Sequence, residues 1–194
     1  MASTSVDLLA PVHRLSVEQY ARIAETGLFD SGPRVELIDG VIVEMSPIGY
    51  PHLHAVMWLN RALVPQLAEA HILSPQQAIS LPALRSMPEP DIAILEVEEV
   101  LQRVAERPLL IIEVSDSSLL FDRITKSRLY ARHGIPEYWI VNVTDEVVEV
   151  HLEPTGDAWA SRTVHGASAV LSPHALPGVT VVLDELLAFI AGRA

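Results

Sequence analysis

The residues Leu109-Leu-Ile-Ile-Glu113-Val114 form an almost continuous apolar run with a single acid near its end. A run of this kind is typical of a central β-strand that is covered on both faces. Glu113 therefore lies where burial is expected, and burying an unpaired carboxylate is costly in free energy. We interpret Glu113 as a paired or metal-binding acid in preference to a charge at the edge of a sheet.

The other predicted elements indicate one α/β domain over residues 1–194, with 1–12 as a loose N-terminal segment. Asp39-Gly40, between two alternating apolar runs, is the strongest β-hairpin signal in the chain. Helices are predicted over 17–26, over 53–70 with a break at a proline, from the capping residues 115–118 to about 133, and from about 184. Strands are predicted at 77–81, 91–95, 109–114, 138–143, 147–152, 159–164 and 179–182.

Composition limits the classes of protein that the chain can represent. Its 194 residues are 49% hydrophobic, and it contains no cysteine, which removes disulfides, thiol nucleophiles and Cys-ligated zinc. We find neither a signal peptide nor a membrane span in the sequence, so we expect a cytoplasmic protein. The formal net charge of −12 is unusual for a nucleic-acid-binding protein, although the metal-binding carboxylates of a nuclease contribute negative charge.

Asp91 opens the predicted strand 91–95, and Glu113 ends the apolar run of the next one. Two carboxylates at neighbouring strand ends could hold Mg²⁺, with the Val114 carbonyl as a further ligand. A cation held there can neutralise charge that develops on a phosphodiester and activate a water molecule. The alternative is that Asp91 is only an acid at the start of a strand.

Lys126 is the only lysine in the chain, and it lies on the predicted helix that follows Glu113. Asp122, Lys126 and Tyr130 are spaced four residues apart, so they share one helical face. An ammonium group near the two acids could position a water molecule and stabilise the pentacoordinate phosphorus. The alternative is an ordinary surface Asp–Lys pair beside a core tyrosine.

Several short motifs occur in order along the chain: Glu36-Leu-Ile-Asp-Gly40, Met45-Ser-Pro47, Pro90-Asp91, Ile-Glu113-Val-Ser115, Asp122-x-x-x-Lys126-x-x-x-Tyr130 and Gly134-Ile-Pro-Glu-Tyr-Trp-Ile-Val141. Together they resemble the Uma-type putative restriction endonuclease family, bacterial members of the PD-(D/E)XK nuclease superfamily. The resemblance covers about residues 14 to 185, which is almost the whole chain.

The resemblance implies a restriction-endonuclease-like core, in which helices flank a mixed β-sheet, preceded by an N-terminal helix and a β-hairpin. It also implies a DNA substrate and Mg²⁺, with Mn²⁺ as a substitute, held by Asp91 and Glu113. The superfamily lysine usually lies two residues after the second acid, where this chain has Ser115. The resemblance implies that Lys126 on the following helix takes this role.

Further side chains are candidates for supporting roles. Glu36 matches a frequent acid of the family, and we interpret it as a third acidic group that assists catalysis. His52 matches a family position that is often histidine, and we interpret it as a phosphate contact. His52 and His54 together form a His-x-His pair that could instead hold zinc.

Three side chains are expected to surround the acids and the lysine. Asp122 and Tyr130 would hold the lysine helix in place, and Ser115 would cap that helix rather than act as a nucleophile. Double-strand cleavage commonly uses two active sites, which favours a homodimer, and the predicted strand 147–152 could offer an edge for it.

The leading hypothesis is therefore a magnesium-dependent DNA endonuclease in which Asp91 and Glu113 bind the metal, Lys126 orients the attacking water and Glu36 assists. The alternative from another class is a catalytically impaired nuclease-fold module that binds nucleic acid or a protein partner. The acidic charge and the absence of a lysine two residues after Glu113 motivate this alternative. A third hypothesis is a different metallohydrolase centred on the two histidines.

Overall fold

The computed structural model describes residues 11–102 and 104–192. Its helices are α1 (Val17–Ala24), α2 (Tyr50–Leu63), α3 (Val97–Gln102), α4 (Leu119–Phe121), α5 (Ser127–His133) and α6 (Leu183–Ile190). Its strands are β1 (Val35–Ile38), β2 (Val41–Glu44), β3 (His71–Pro75), β4 (Ile92–Glu96), β5 (Leu110–Ser115), β6 (Glu137–Asn142), β7 (Val147–Thr155), β8 (Ala158–His165), β9 (Val170–Leu171) and β10 (Val181–Val182). Of the loose segment predicted at 1–12, residues 1–10 lie outside the described residues, and 11–12 have no regular secondary structure.

The central sheet has the strand order β3-β4-β5-β6-β7-β8. β5 and β6 are parallel, and the other neighbouring strands are antiparallel. A parallel pair needs a crossover connection, which here consists of α4, a π-helical segment (Asp122–Lys126) and α5. The crossover that joins the two parallel strands is therefore the segment that carries Lys126.

Helices cover both faces of this sheet. Ile112 of β5 belongs to the same core as Leu59 of α2, whereas Ile111 belongs to the core that includes Tyr130 of α5. Successive strand residues point to opposite faces, so Glu113 points to the same face as Ile111, the one that α5 covers. The predicted α/β class, with a mixed sheet flanked by helices, is confirmed.

The N-terminal hairpin is confirmed at the predicted turn. Asp39 and Gly40 have φ values of 50° and 77°, as a two-residue type I′ turn requires. A Cβ atom added at Gly40 would lie 2.5 Å from Cβ of Arg14, so both the conformation and the space require glycine. The hairpin fixes the position of Glu36, which is buried on β1.

The prediction of a strand at 77–81 is wrong. β3 lies earlier in the chain and pairs with β4, whereas the Ile79 and Ser80 N–H groups donate to carbonyls of Pro88 and Ala105 in separate loops. Ile79 and Leu81 are buried in the core. The apolar alternation at 77–81 therefore reflects burial of a loop, not pairing in the sheet.

The expectation that the strand near 147–152 offers a free edge is also wrong. β7 lies between β6 and β8 and pairs with both, so the outer strands of the described sheet are β3 and β8. A dimer formed through this sheet would have to use one of those two strands.

The helix predicted over 53–70 begins earlier and ends earlier. α2 starts at Tyr50, because Pro51 fits the first turn of a helix, where its missing N–H has no helical partner. A 3₁₀ turn that contains Pro65 follows Leu63, which confirms the predicted break. None of the helices in the described ranges combines the length and the apolar composition needed to cross a bilayer.

Candidate active site

The register of β4 and β5 brings the two predicted metal-binding acids together. The antiparallel ladder ends with Ile92 opposite Ile112, so the next position places Asp91 opposite Glu113. Directly opposed residues of antiparallel strands project from the same face of the sheet, roughly 5 Å apart. The Val114 N–H donates to Asp91 Oδ2 at 2.8 Å, and the Asp91 N–H contacts Glu113 Oε2 at 3.4 Å. Each acid is thus tied to the backbone of the other strand.

The two oxygens of the Glu113 carboxylate have different surroundings. Oε1 accepts from the Lys126 ammonium at 2.9 Å and from the Tyr130 hydroxyl at 2.7 Å. Oε2 has only the long contact with the Asp91 N–H among the hydrogen bonds described. Protein donors therefore occupy the oxygen that faces the helix, and the oxygen on the Asp91 side retains capacity for another partner.

Lys126 connects Glu113 to the N-terminal hairpin. Its ammonium lies 3.4 Å from Glu36 Oε2 as well as 2.9 Å from Glu113 Oε1, and its side chain is 5% exposed. Glu36 Oε2 also accepts from the Glu89 N–H at 3.1 Å, which fixes the loop before β4. The structure thus brings Asp91, Glu113, Lys126 and Glu36 to one point between the sheet, the crossover and the hairpin.

A π-helical turn sets the orientation of the crossover. The Ser127 N–H donates to the Asp122 carbonyl five residues earlier, which is the hydrogen bond of a π turn. Asp122 and Lys126 are both buried, at the two ends of this segment. π turns occur often at functional sites, and this one carries the only lysine of the chain.

The serines before this crossover do not act as the predicted caps. The helix starts after Ser118, whose side chain accepts no N–H from the first turn. Ser115 Oγ and Ser118 Oγ both donate to Asp122 Oδ2, at 2.7 Å and 2.5 Å. The Asp122 carboxylate therefore fastens the crossover to the end of β5, and the capping role predicted for Ser115 is wrong.

The site holds more buried acid than its single ammonium can neutralise. Burial raises the pKa of Glu113 well above its usual range, and burial likewise raises the pKa values of Glu36 and Asp122 against the opposing effect of Lys126. Burial lowers the pKa of Lys126, but the carboxylates of Glu113, Glu36 and Asp122 outweigh this and raise it. The carboxylates therefore favour the charged form of Lys126, and one ammonium group faces three buried acids.

The histidine pair is separated by its own helix. His52 Nε2 lies 2.9 Å from Asp91 Oδ1, whereas the His54 ring packs edge-on against Phe189 of α6. Residues two apart on a helix do not face each other, so α2 directs the two rings to different parts of the molecule. The His-x-His zinc site is therefore not formed, and His52 contacts a predicted metal-binding acid instead.

A cavity of about 240 Å³ opens beside these groups. Six of the predicted residues line it: Glu36, His52, Asp91, Glu113, Asp122 and Lys126, together with Val114. Tyr130 and Ser115 lie behind this lining and act through Glu113 and Asp122.

Sequence reasoning missed several residues of this cavity. Arg34 and Glu89 form an ion pair of 2.8 Å in its lining, although they are far apart in the chain. Asp116 lies against Gly49, where an added Cβ atom would come within 2.8 Å of its carboxylate. The Ser118–Asp122 pair could have been found from its four-residue spacing, whereas nothing local connects Arg34 with Glu89.

The possible ligands of a divalent cation at this site are the oxygen atoms of Asp91, Glu113 and Val114. Among residues 11–102 and 104–192, no group of three or more His, Cys, Asp or Glu side chains is arranged as a metal site. Mg²⁺, however, typically uses one or two carboxylates and completes its shell with waters and substrate phosphate.

Asp91 and Glu113 supply two carboxylates in a region where buried acids outnumber the cations. The Val114 carbonyl faces the same side as its N–H, toward Asp91, because both groups of a strand residue point one way. These oxygen donors fit Mg²⁺ or Mn²⁺.

Comparisons with known proteins agree with this fold. The protein-family model Uma2, described as "Putative restriction endonuclease", matches residues 17–186. The crystal structure of a putative nuclease of the DUF820 family from Anabaena variabilis superposes with a TM-score of 0.69 at 17% identity, over 91% of this chain and 99% of that one. The type IIG restriction endonuclease BpuSI gives a TM-score of 0.41 at 15% identity, over 78% of this chain and 18% of that one. No curated protein matches the sequence. The mixed α/β fold expected from the sequence is therefore shared with the DUF820 structure, over nearly the whole of both chains.

Proposed function

Because this chain belongs to the Uma2 family of putative restriction endonucleases, we propose that it is a divalent-metal-dependent nuclease that hydrolyses phosphodiester bonds in DNA. The observation that carries the proposal is the 2.9 Å contact between the Lys126 ammonium and Glu113 Oε1, with Asp91 opposite Glu113 across the strand pair. Two acids and one buried cation at a cavity are the parts that metal-assisted phosphodiester hydrolysis requires.

Asp91 and Glu113 would hold Mg²⁺, or Mn²⁺ in its place, and the Val114 carbonyl would be a further ligand. The bound cation would supply a Lewis acid that neutralises charge developing on the phosphate and activates a water. The hydrogen bonds of Asp91 and Glu113 to opposite backbones hold both carboxylates in place before any ligand arrives. This preorganisation is what an efficient site needs, because no reorganisation is then required during the reaction.

Lys126 would donate hydrogen bonds and positive charge, and it would not accept a proton. The surrounding carboxylates raise its pKa against the effect of burial, which favours the ammonium form. Its place beside Glu113 allows it to orient the attacking water and to stabilise the negative phosphate oxygens. Glu36 and Tyr130 would keep the ammonium and the carboxylate in this orientation.

The crossover helix would be held by Asp122 and the two serines that bind it. His52 would act on Asp91, whose Oδ1 it contacts, and its predicted role as a direct phosphate contact stays a prediction. These residues would position the reacting groups without touching the scissile bond.

The proposal is tested by incubating supercoiled plasmid and linear DNA with the purified protein and Mg²⁺ or Mn²⁺. We expect cleavage that EDTA abolishes and that Asp91→Asn or Glu113→Gln removes while the folded state is kept. Asp157→Asn is the matched control, because Asp157 is an exposed acid that pairs with Arg128 and Arg132 outside the cavity lining. Intact DNA at several salt concentrations, with correctly folded protein, would overturn the proposal.

Binding without cleavage is the competing function, and one observation favours it. Both cations of the cavity lining, Arg34 and Lys126, already pair with acids, which leaves little free positive charge for a phosphate backbone. Metal-titration calorimetry separates the two functions. A catalytic site should bind Mg²⁺ or Mn²⁺ and lose that binding in Asp91→Asn, whereas a binding module should show no such dependence.

A further inference from the structure

The solvent-facing side of α2 is apolar, which is unusual for a surface helix. Tyr50, Leu53, Met57 and Val64, the residue that follows the helix, are 80%, 43%, 54% and 54% exposed. We refer to these four residues as the α2 stripe. Their separations of three, four and seven residues are those of a heptad seam, which places them on one side of the helix.

The opposite side of the helix is already buried in the core. Ala55, Leu59 and Leu63 are fully buried and pack with the sheet and with α6. A helix with one buried face normally presents charged and polar residues to water on the other. Exposed apolar residues aligned along a helix in place of that polar face are typical of a site of association.

The distribution of charge restricts what can approach this surface. The chain has a net charge of −12, but no acidic residue occurs between Glu44 and Glu69, a range that includes all of α2. Arg61, the charged residue on the exposed side, lines a groove together with Asp184 and Glu185 of α6. The α2 stripe itself therefore carries no carboxylate, so two copies of an acidic protein can approach through it with less repulsion than elsewhere.

The stripe is also complementary to itself. Tyr50 and Val64 each lie seven residues from Met57, and Leu53 and Arg61 each lie four residues from it. Antiparallel pairing about a twofold axis at Met57 would set Tyr50 against the partner's Val64, and Leu53 against the partner's Arg61. Parallel pairing would set Arg61 against its own copy, and the like charges would repel.

We propose that the protein is a homodimer in which the α2 stripe packs antiparallel against the α2 stripe of a second copy. The two Met57 side chains meet at the twofold axis, and the Arg61 stems cover the ends of Leu53. This interface is isologous, so it closes at two copies and leaves no further surface for growth.

The proposed arrangement relates the two cavities to each other, and this consequence rests on the proposed function. His52, which lines the cavity, lies five residues from Met57, so the two His52 positions are about 15 Å apart along the helix axis. The helix axes of packed helices are roughly 8–10 Å apart. The dimer therefore brings side by side the two α2 helices that each contribute His52 to a cavity.

The test is the oligomeric state of the full chain, measured by light scattering at about 100 µM without DNA. We expect twice the chain mass of 21.2 kDa for the unmodified protein and a single mass for Met57→Glu. Val164→Glu is the matched control, because Val164 is equally exposed at 57% but lies on the outer strand β8. A monomeric unmodified protein, or a dimer that Val164→Glu but not Met57→Glu dissociates, would overturn the proposal.

A second measurement does not depend on a charge substitution. The chain has no cysteine, so Met57→Cys introduces a single thiol. A short bismaleimide should link two copies through Met57→Cys and leave Val164→Cys unlinked. Linkage at both positions or at neither contradicts the α2 interface. Because neither measurement uses DNA, a failed dimer and a failed nuclease are distinguished.

Discussion

Asp91 and Glu113 are the residues just beyond the last pair of the β4–β5 ladder, and the carboxylate of each accepts a hydrogen bond from a backbone N–H on the side of the other. This reciprocal arrangement fixes the two carboxylates on one face of the sheet. It leaves Glu113 Oε1 for Lys126 and Tyr130, and Glu113 Oε2 on the side of Asp91.

Lys126→Met should remove most of the cleavage activity. The substitution keeps the length of the side chain but removes the ammonium that lies 2.9 Å from Glu113 Oε1. Loss of a preorganised donor at a reacting centre costs about 10²–10³ in kcat. Initial rates of plasmid cleavage under saturating Mg²⁺ measure the change. Arg128→Met is the control, because Arg128 is an exposed cation paired with Asp157; equal losses in both variants would contradict the role of Lys126.

Mg²⁺ should stabilise the protein, and Glu113→Gln should abolish the effect. Burial raises the pKa of Glu113 and the neighbouring carboxylates raise it further; the cation offsets the charge of these carboxylates, and it binds only the folded state. At 100 times its Kd, a ligand of this kind raises the free energy of unfolding by about 2.7 kcal/mol. Thermal unfolding with Mg²⁺ and with EDTA measures the shift. If Asp157→Asn lost the shift and Glu113→Gln kept it, the assignment of the metal ligand would be wrong.

Glu149→Gln should destabilise the protein at neutral pH and not in acid. Glu149 on β7 is fully buried and accepts from Arg123 Nε and Arg162 Nη2, both at 2.7 Å. Burial raises its pKa, but the hydrogen bonds from these arginines outweigh this and lower it. The stabilisation that the Glu149 carboxylate provides is therefore fully present above its pKa in the unfolded chain, which is about 4.3. It is lost as the pH falls through the lower pKa that Glu149 has in the folded protein.

Urea unfolding of Glu149→Gln and of the unmodified protein at several pH values tests this prediction. We expect a difference of about 1–3 kcal/mol at pH 7, since hydrogen bonds to a buried charged group are lost. The difference should shrink below pH of about 4. Because Arg123 lies in the π-helical segment that ends at Lys126, cleavage should fall together with stability. A difference independent of pH would show that the charge of Glu149 is irrelevant.

Gly40→Ala should destabilise the fold by about 2 kcal/mol or more, because Gly40 has a positive φ and its Cβ would meet Arg14. Thermal unfolding measures this effect. Gly166→Ala is the control, since an added Cβ there meets no atom within 4 Å and Gly166 has no positive φ. An unchanged midpoint for Gly40→Ala would mean that the hairpin tolerates another turn.

Features with a local cause were predicted from the sequence. The Asp39-Gly40 turn follows from the φ values that those two residues tolerate, and the end of α5 at Gly134 follows from its left-handed conformation. The central strand was predicted from its continuous apolar composition, and the orientation of Lys126 and Tyr130 toward one target follows from their four-residue spacing.

Features that depend on pairing between distant parts of the chain were not predicted from the sequence. The apolar alternation at 77–81 predicted a strand, but β3 (His71–Pro75) pairs with β4 instead. Whether a segment forms a strand depends on the segment it pairs with, which apolar alternation does not specify. The spacing of His52 and His54 in the sequence is compatible with a zinc site, but in the structure α2 directs the two rings to different parts of the molecule. The π turn that ends at Lys126 has no sequence signal that we can identify.

The hairpin turn, the central strand and the acidic and basic groups that the chemistry needs could be identified from the sequence. Tertiary contacts alone bring Asp91 to the Val114 N–H beside Glu113, and bring Lys126, thirteen residues after Glu113, back to the Glu113 carboxylate. Turn and helix preferences act between neighbours in the chain and carry no information about such contacts. Strand register is fixed by burial on both faces of a sheet whose strands come from distant parts of the sequence.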